Sequence, residues 1–496
     1  MNTAPPSPAP APDRRRWTAL IVLCFAQLMI TLDTTIVNVA LPAIQQDLGF
    51  SDAGLTWVVN AFLVTFGGFL LMAGRLGDLL GRRRVFLVGL VVFTAASALC
   101  GLAQTQGILV AARLLQGIGA ALQGAAILAI IATEFPEPGE RARAMSAYVF
   151  VAVAGAALGL LAGGVLTEGI SWRWIFLVNL PIGVATIVVS RALIVADEGL
   201  GLGQGLDWLG SILVTSAVMV GVFAVVGAAE HGWDSARVLG VGAGALVLAG
   251  AFVVTEARVQ NPVMPLRILR QRGLMGASLV RALIGTGLFA TFFLGTLYFE
   301  NVLGYGAVQT GLAFLPWFLS LGVLSLGVTA RLIARFGPMP VMVCGMLIST
   351  VGMLLFRSAG VGTDYFPTIA LANLAIGTGV GLSMMPLLTI AMSDVPAADR
   401  GLGSGVITVA QQVGGAFGLA VLSTLAATHT DALTADGASL QSALVGGYRL
   451  AFALGAGCFA VGIVTAVLVL GRTGTPARIT PATRANADTP ATTSSS

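Results

Sequence analysis

Lysine is absent from this chain: all 26 basic residues are arginine, and charged residues of any kind make up only 10%. So sparse a charge complement excludes a soluble domain, whose surface would then have to be largely apolar. Histidine occurs only at His231 and His429, and cysteine only at Cys24, Cys100, Cys344 and Cys458, with no CxxC pair. Nothing here has metal-ligand spacing, and no metal or other cofactor is expected. A Walker loop is missing as well; the many glycine pairs lie inside apolar runs, where they let helices approach closely. No basic cluster is interleaved with aromatics, so the isoelectric point near 9.2 does not announce a nucleic-acid partner. No nucleophile–base set marks an enzyme. The few charged residues inside apolar runs stand singly and not in the rings that line a channel.

What is present is hydrophobic. Apolar residues make up 56% of the chain, and the mean hydropathy is +0.92. In lipid every backbone N–H and C=O must be paired within the crossing segment, which leaves helices or a closed barrel. The apolar runs are about 20 residues long and lack period-2 alternation, which is helix length and not barrel-strand length. They fall near 17–40, 54–74, 85–104, 107–133, 144–166, 174–195, 208–229, 236–256, 275–299, 309–334, 339–357, 364–392, 401–427 and 447–471. The expected fold is an all-α polytopic membrane protein with fourteen transmembrane helices.

The arginines test that reading. Arg14–Arg16 precede the first run, Arg82–Arg84 lie between the second and third, and Arg141 and Arg143 follow the fourth. Arg191 ends the sixth, Arg258, Arg267, Arg270 and Arg272 follow the eighth, and Arg331 and Arg335 follow the tenth. Arg400 follows the twelfth, and Arg472, Arg478 and Arg484 the last. Simple alternation puts all of these on one side and leaves Arg173, Arg237, Arg357 and Arg449 on the other. The positive-inside rule then makes both termini cytoplasmic. Residues 1–16 read as a Pro-rich cytoplasmic tail, and 472–496, rich in Ala, Thr, Ser and Pro, as a disordered one. The first run is too long for a signal peptide and lacks an A-x-A exit. No lysine, with abundant Ala, Gly and Arg, points to a GC-rich bacterial genome and a multi-pass protein of the bacterial cytoplasmic membrane.

The chain also repeats itself. Gly74–Gly81, then Val85 and Gly89, aligns with Ala330–Gly337, then Val341 and Gly345. Gly117 and Gly119 match Gly377 and Gly379, and Gly155 and Gly159 match Gly414 and Gly418. These collinear matches imply two six-helix halves in parallel orientation, over 17–200 and 261–471, with two helices inserted over 201–260.

Several motifs are similar to those of the major facilitator superfamily and, within it, the fourteen-helix drug:proton antiporters. Leu32-Asp-Thr-Thr-Ile-Val-Asn-Val-Ala-Leu-Pro42 resembles that family's first-helix motif, and Gly74 to Arg84 its cytoplasmic loop between helices two and three. Arg113-Leu-Leu-Gln-Gly117 resembles the fourth-helix motif, and Trp172 to Gly183 (WRWIFLVNLPIG) a signature of the fourteen-helix branch. The resemblance implies a secondary transporter exchanging small molecules for protons, with a conformational latch formed by Gly74, Asp78, Gly81, Arg82 and Arg83. In it Asp78 is held near a helix N-terminus; the plainer reading is that these arginines only set topology. The helix-five antiporter signature is matched by Gly155, Gly159, Gly163 and Gly164. It departs where Leu160 replaces the usual proline, which predicts a shallower kink.

Asp33 is the single acid placed deep inside an apolar run, so it must be either protonated or paired. That is the property a proton-coupling site needs; the alternative is a helix-end cap if the first helix stopped early. Arg113 cannot discharge and needs a partner or water. It shares a helical face with Gln116, Gly117, Ala120 and Gly124, which suits a water-lined wall. Snorkelling to the interface is its alternative, and the family's fourth-helix arginine is associated with coupling. Arg281 is a second intramembrane cation, either substrate-facing or snorkelling. Candidates for the substrate path near midplane are Asn60, Gln116, Gln123, Arg281, Trp317, Asn373, Gln411 and Gln412, each alternatively a helix–helix hydrogen bonder. With no second deep acid, neutral, amphipathic, monovalent or anionic substrates are favoured over divalent cations.

The leading expectation is a proton-coupled exporter of drugs or secondary metabolites, functional as a monomer, with substrate, protons and the bilayer as its partners. An uptake or exchange carrier, or a non-transporting sensor or channel, are the competing readings. Reporter tags at Thr3 and Ser494 are expected on the cytoplasmic side and a tag at Gly232 outside. Termini found on opposite sides would mean the helices have been miscounted.

Overall fold

The computed structural model describes residues 13–197, 207–259, 271–393 and 400–470, with positions 199, 201, 262, 267 and 395. Every regular element among them is helical. α1 is Asp13–Leu48, α2 Asp52–Leu80, α3 Arg82–Gly101, α4 Gln106–Glu134 and α5 Pro138–Gly169, while α6 joins Trp174–Leu177 to Asn179–Leu193. α7 is Trp208–His231, α8 Ala236–Arg258 and α9 Arg272–Asn301. α10 is a run of pieces: Ala307–Ala313, Leu315–Val323, the π-helical Leu324–Val328 and Thr329–Phe336. α11 is Pro338–Ser358, α12 joins Tyr365–Ile369 to Ala370–Met392, α13 is Arg400–Ala435, and α14 joins Leu440–Thr465 to Ala466–Leu470.

Helix starts carry the expected chemistry. Side chains of Ser51, Thr105, Asp207, Ser235 and Ser439 accept from the backbone N–H groups of Gly54, Ile108, Gly210, Val238 and Ser442, opening α2, α4, α7, α8 and α14. Two connections need no loop at all. Gly81 (φ 94°) ends α2 and starts α3, and Gly337 (φ 84°) does the same between α10 and α11. A left-handed residue turns the chain at once, and glycine adopts it without a Cβ penalty.

Among the described residues, thirteen helices are long and apolar enough to cross a membrane. The exception is α10, whose apolar part Ala307–Val323 is shorter. The run expected over 309–334 is not one continuous helix, because Pro316 restarts it and Gly327 takes φ 106° within the π-helical turn. The expected tail over 1–16 also differs, since α1 already begins at Asp13. Arg15 Nε donates to Leu193 O (3.1 Å) and Arg16 pairs with Glu140 (3.1 Å), so the arginine run is held as helix by the ends of α6 and α5. His231 closes α7 and His429 lies within α13. Residues 1–12 and 471–496, with the tail arginines, and Arg270 lie outside the described residues.

The internal repeat reappears as packing. A β-carbon on Gly119 of α4 would sit 2.5 Å from Phe93 N and 2.9 Å from Gly89 O of α3, so the two backbones touch there. Gly379 of α12 faces Gly345 of α11 in the same way, with Gly379 O 2.6 Å from a β-carbon on Gly345. Gly155 and Gly159 of α5 press on α1, as Gly414 and Gly418 of α13 press on α9. The first set of helices, α1–α6, meets the last set, α9–α14, chiefly along two seams, with α1 also touching α9 between them. α2 lies against α13, with Gly67 opposite Gln412 and Leu71 opposite Gly405; α5 lies against α10, with Gly164 opposite Val308 and Leu160 opposite Gly311. α7 packs on both α2, through Thr215 and Gly68, and α13, where Thr424 Oγ1 donates to Val225 O (3.2 Å). α8 packs outside α7. It leaves Leu246 (75% exposed) and Val247 (70%) facing outward, as lipid requires.

Gly119→Leu is expected to cut the yield of monodisperse detergent-extracted protein several-fold, because backbone and not a movable side chain blocks the new atoms. Gly240→Leu, at a position with open space around it, should leave the yield unchanged. Equal yields for both variants on size-exclusion chromatography would show that the α3–α4 contact is not tight.

Candidate functional site

Asp33 and Arg113 form a closed ion pair in the interior of the first set. Asp33 lies mid-way along α1 and is 0% exposed; Arg113 on α4 is 1% exposed. Arg113 Nη1 donates to Asp33 Oδ2 at 2.5 Å and to Gln116 Oε1 at 2.7 Å, and its Nε donates to Val58 O of α2 at 2.9 Å. Gln116 Nε2 donates to Asp33 Oδ1 (2.7 Å) and to Ser97 Oγ of α3 (2.8 Å). Arg113 and Gln116 stand three residues apart on one helix and so share a face, which is why both reach the same carboxylate. The rings of Phe62 and Phe176 lie 4.6 and 5.7 Å from the guanidinium carbon. The Cys100 thiol also reaches Gln116 Oε1, at 3.6 Å.

Small residues make this enclosure possible. Gly117, one residue on from Gln116, lets α4 close on Phe62 O of α2. On the other side of α1, Gly155, Gly159 and Gly163 of α5 lie against Leu28, Leu32 and Ile36, so α5 presses on the turn that carries Asp33. The fourth glycine of that signature, Gly164, instead meets Val308 of α10 across the seam. Leu160, in the place of the usual proline, is fully buried, and α5 runs through it unbroken. The water-lined wall expected along α4 is therefore absent at Arg113 in this conformation: the space is taken by Asp33, Gln116 and aromatic rings.

The expected latch is built differently from the expectation. Asp78 lies in the last turn of α2 and, among the described residues, makes a partly exposed i,i+4 pair with Arg82 at 3.4 Å, worth about 0–1 kcal/mol. The carboxylate at the N-terminus of α3 belongs to Asp197, which accepts from Arg82 N (2.7 Å) and Arg83 N (3.1 Å). Here two unsatisfied N–H groups and the positive end of the helix dipole meet a negative side chain. Gly81 is tight because Asp197 passes it: a β-carbon there would sit 2.7 Å from Asp197 O. Arg83 Nη2 caps the end of α6 at Arg191 O (2.5 Å). Gly74 has open space around it. Nothing in the sequence flagged Asp197, which sits in an irregular segment after α6 with no periodic pattern.

The candidate path residues do not converge on one cavity. Gln116 belongs to the ion-pair network. Asn60 and Gln123 are fully buried on α2 and α4, with amide groups that find no partner. Trp317 is buried and stacked on Phe292 (4.4 Å between centroids). Asn373 Nδ2 ties α12 to α10 through Ala313 O at 2.9 Å. Gln412 is buried against Gly67 at the α2–α13 seam, while Gln411 and Arg281 are half-buried nearby. On the face opposite the arginine-rich one, Glu168 of α5 accepts from Val308 N of α10 at 2.9 Å and so joins the two sets. Asp47 there holds Arg173 (2.7 Å) and the Trp172 indole (3.0 Å). No group of acids, histidines or cysteines capable of holding a metal occurs among the described residues.

Comparison with known proteins gives this geometry a context. The Major Facilitator Superfamily profile matches residues 23–419. The puromycin resistance protein pur8 of Streptomyces alboniger is 40% identical over 465 residues, covering 92% of this chain and 91% of its own. The cephamycin export protein CmcT of Amycolatopsis lactamdurans is 38% identical, covering 85% and 87%. Among solved structures, a bacterial homologue of the human lysosomal transporter Spinster, inward-facing and occupied, superposes with a TM-score of 0.68 at 14% identity, over 93% of this chain and 98% of its own. That last likeness is one of fold.

Asp197→Ala should lower stability by about 1 kcal/mol, the usual cost of a lost N-cap, read as a drop in thermal unfolding midpoint. Asp78→Ala should shift it less, because its ion pair is exposed. A larger effect of Asp78→Ala would return the capping role to that residue.

Proposed function

The chain belongs to the Major Facilitator Superfamily, and from that premise we propose that it exports small organic molecules of the antibiotic and secondary-metabolite class in exchange for protons. It is a multi-pass membrane transporter and not an enzyme. Relatives named for puromycin resistance, cephamycin export and lincomycin resistance support the outward direction and the substrate class. Their bacterial origin supports a location in the bacterial cytoplasmic membrane. In the proposed topology α10 is a full crossing despite its breaks, giving fourteen helices with both termini cytoplasmic. α1–α6 and α9–α14 are the two halves, α7 and α8 are inserted between them, and a single chain is the functional unit. The repeated packing of α3 on α4 and of α11 on α12 supports that division.

The observation that carries the proton coupling is the buried Asp33–Arg113 pair. An arginine keeps its charge, so the only member that can take up a proton is Asp33. Protonation removes the attraction that holds α1 to α4 through Arg113 and leaves Gln116 as a neutral hydrogen-bond partner. Deprotonation restores it. A site with two such states, exposed to one side at a time, links proton movement to the rocking of one helix set against the other. Substrate enters the space between the sets. An uptake or exchange carrier is the second reading, kept by Leu160 in place of the signature proline of α5.

Asp33→Asn retains size and hydrogen bonding but cannot titrate. In everted membrane vesicles it should abolish pH-gradient-driven accumulation of a transported antibiotic such as puromycin, while binding of the same compound survives. Arg113→Lys should lose most transport, because an ammonium lacks the planar fork that reaches Asp33, Gln116 and Val58 O together. Full gradient-driven transport by Asp33→Asn would falsify the coupling role.

A further inference from the structure

Arg281 of α9 is the counterexample to Arg113. Both lie well inside apolar helices, but Arg113 has a carboxylate, an amide and a carbonyl, whereas Arg281 has none of these. The partner of its Nη1 is the thioether sulfur of Met384 on α12, a weak acceptor. Its Nε is buried with no partner, and no ion pair to it occurs among the described residues. Snorkelling does not account for it. At a rise of about 1.5 Å per residue, Arg281 lies about 13 Å from Arg272 at its helix end, and Met384 about 12 Å from Met392 at the same face. The guanidinium therefore stays at the depth of its own backbone and does not reach for the headgroups.

Its surroundings hold a hydroxyl and an amide that can donate. Ser278, one turn earlier on the same face of α9, is buried with a hydroxyl that finds no partner. Gln411 of α13 packs against Gly285, one turn later, and keeps part of its surface open. The next residue, Gln412, meets Gly67 of α2, so this cluster stands at the junction between the two helix sets. Arg281 itself is half-buried, and its α9 neighbours Ala282 and Gly285 pack on Gly414 and Gln411 of α13, the helix that meets α2. A cation held in an apolar layer with vacant donors around it is complementary to an anion that arrives and leaves.

We propose that Arg281, with Ser278 and Gln411, forms a subsite for an anionic, acceptor-rich group of the transported molecule, such as a carboxylate, phenolate or enolate. This rests on the reading that the space between the helix sets is the substrate path. It narrows that reading to substrates carrying a negative charge on an otherwise apolar body.

Fluorescein and rhodamine 6G test it, since they share a xanthene skeleton and carry opposite charge near pH 7.4. Their binding to the purified full-length protein in phosphatidylcholine nanodiscs is read by fluorescence polarisation, with no gradient present. Arg281→Gln should weaken fluorescein binding at least about tenfold, the loss expected for a charge-assisted contact, and leave rhodamine 6G within about twofold. Arg281→Lys, which keeps the charge, should fall between. Equal losses for both dyes would mark Arg281 as structural, and no loss, or a wild type that binds rhodamine 6G alone, would overturn the subsite. Displacement of fluorescein by added phosphatidylglycerol at headgroup concentration would assign the anion to lipid and overturn it too. Arg281-dependent binding in a protein that shows no proton-driven export in vesicles would refute the export reading alone.

Discussion

Removing a carboxylate and a guanidinium from water costs on the order of 20 kcal/mol per ion in the idealised limit, and several kcal/mol each after relaxation. Only near-complete pairing offsets such a penalty. Around Asp33 and Arg113 that requirement recruits four helices: α1 supplies the carboxylate, α4 the guanidinium and Gln116, α2 the Val58 carbonyl and α3 the Ser97 hydroxyl. Each must approach to within hydrogen-bond distance, and side chains at the crossings would hold them apart. The glycines at 117 and 119 on α4 and at 155, 159 and 163 on α5 are therefore as much a part of the ion pair as the charges are. A large residue at any of these crossings separates groups that water is not there to satisfy.

The internal repeat sharpens this by showing which parts are scaffold and which are chemistry. At the spacing that carries Gly117 to Gly377, Arg113 corresponds to Asn373. The bond survives in kind: Arg113 donates to a carbonyl of α2, and Asn373 donates to a carbonyl of α10. The charge does not survive. Gly159 meets Thr35 Oγ1 of α1 as Gly418 meets Thr286 Oγ1 of α9, and two residues before these threonines stand Asp33 and Ile284. One set thus keeps a titratable pair inside a glycine-spaced bundle, and the other keeps the bundle with a neutral amide and an aliphatic side chain. The only intramembrane cation of α9, Arg281, lies elsewhere on the helix, against Met384 of α12.

What was legible in the sequence follows from the physics of each feature. Helices were legible because lipid demands about 20 apolar residues per crossing, and arginine asymmetry gives their alternation. The pair was legible as two suspicious residues, since a charge in an apolar run is conspicuous; that they are partners, 80 positions apart, depends on which helices neighbour each other. Hydrophobicity was blind to α10, where Pro316 and Gly327 break a run that reads as uniformly apolar. It was also blind to Asp197, an acid in an irregular segment whose role exists only because that segment returns to the start of α3. Asn60, Gln116 and Gln123 looked alike in sequence, yet only Gln116 has partners, because depth along the bundle decides which amide meets the pair: Gln123 shares the face of Gln116 on α4 but lies two turns, about 10 Å, further along.

A contiguous set of contacts leads from the pair to the junction between helix sets. α1 carries Asp33 and is pressed along Leu28, Leu32 and Ile36 by α5. The same α5 continues to Gly164 and Glu168, where it meets Val308 at the start of α10. Helices transmit small displacements along their length because interiors packed backbone to backbone shift between discrete arrangements and do not deform continuously. A change at Asp33 that lets α1 move against α4 therefore reaches the seam through α5, beside the direct contacts of α1 with α9 and α10. Contiguity alone is not coupling; what makes this route more than adjacency is that both its ends hold a carboxylate, one against Arg113 and one against the N-terminus of α10. The first of these contacts weakens when Asp33 takes up a proton. Under the proposed exchange, the protonation that loosens the pair acts on α1 and the opening that breaks the Glu168 contact acts on α5, two helices packed together at Gly155, Gly159 and Gly163.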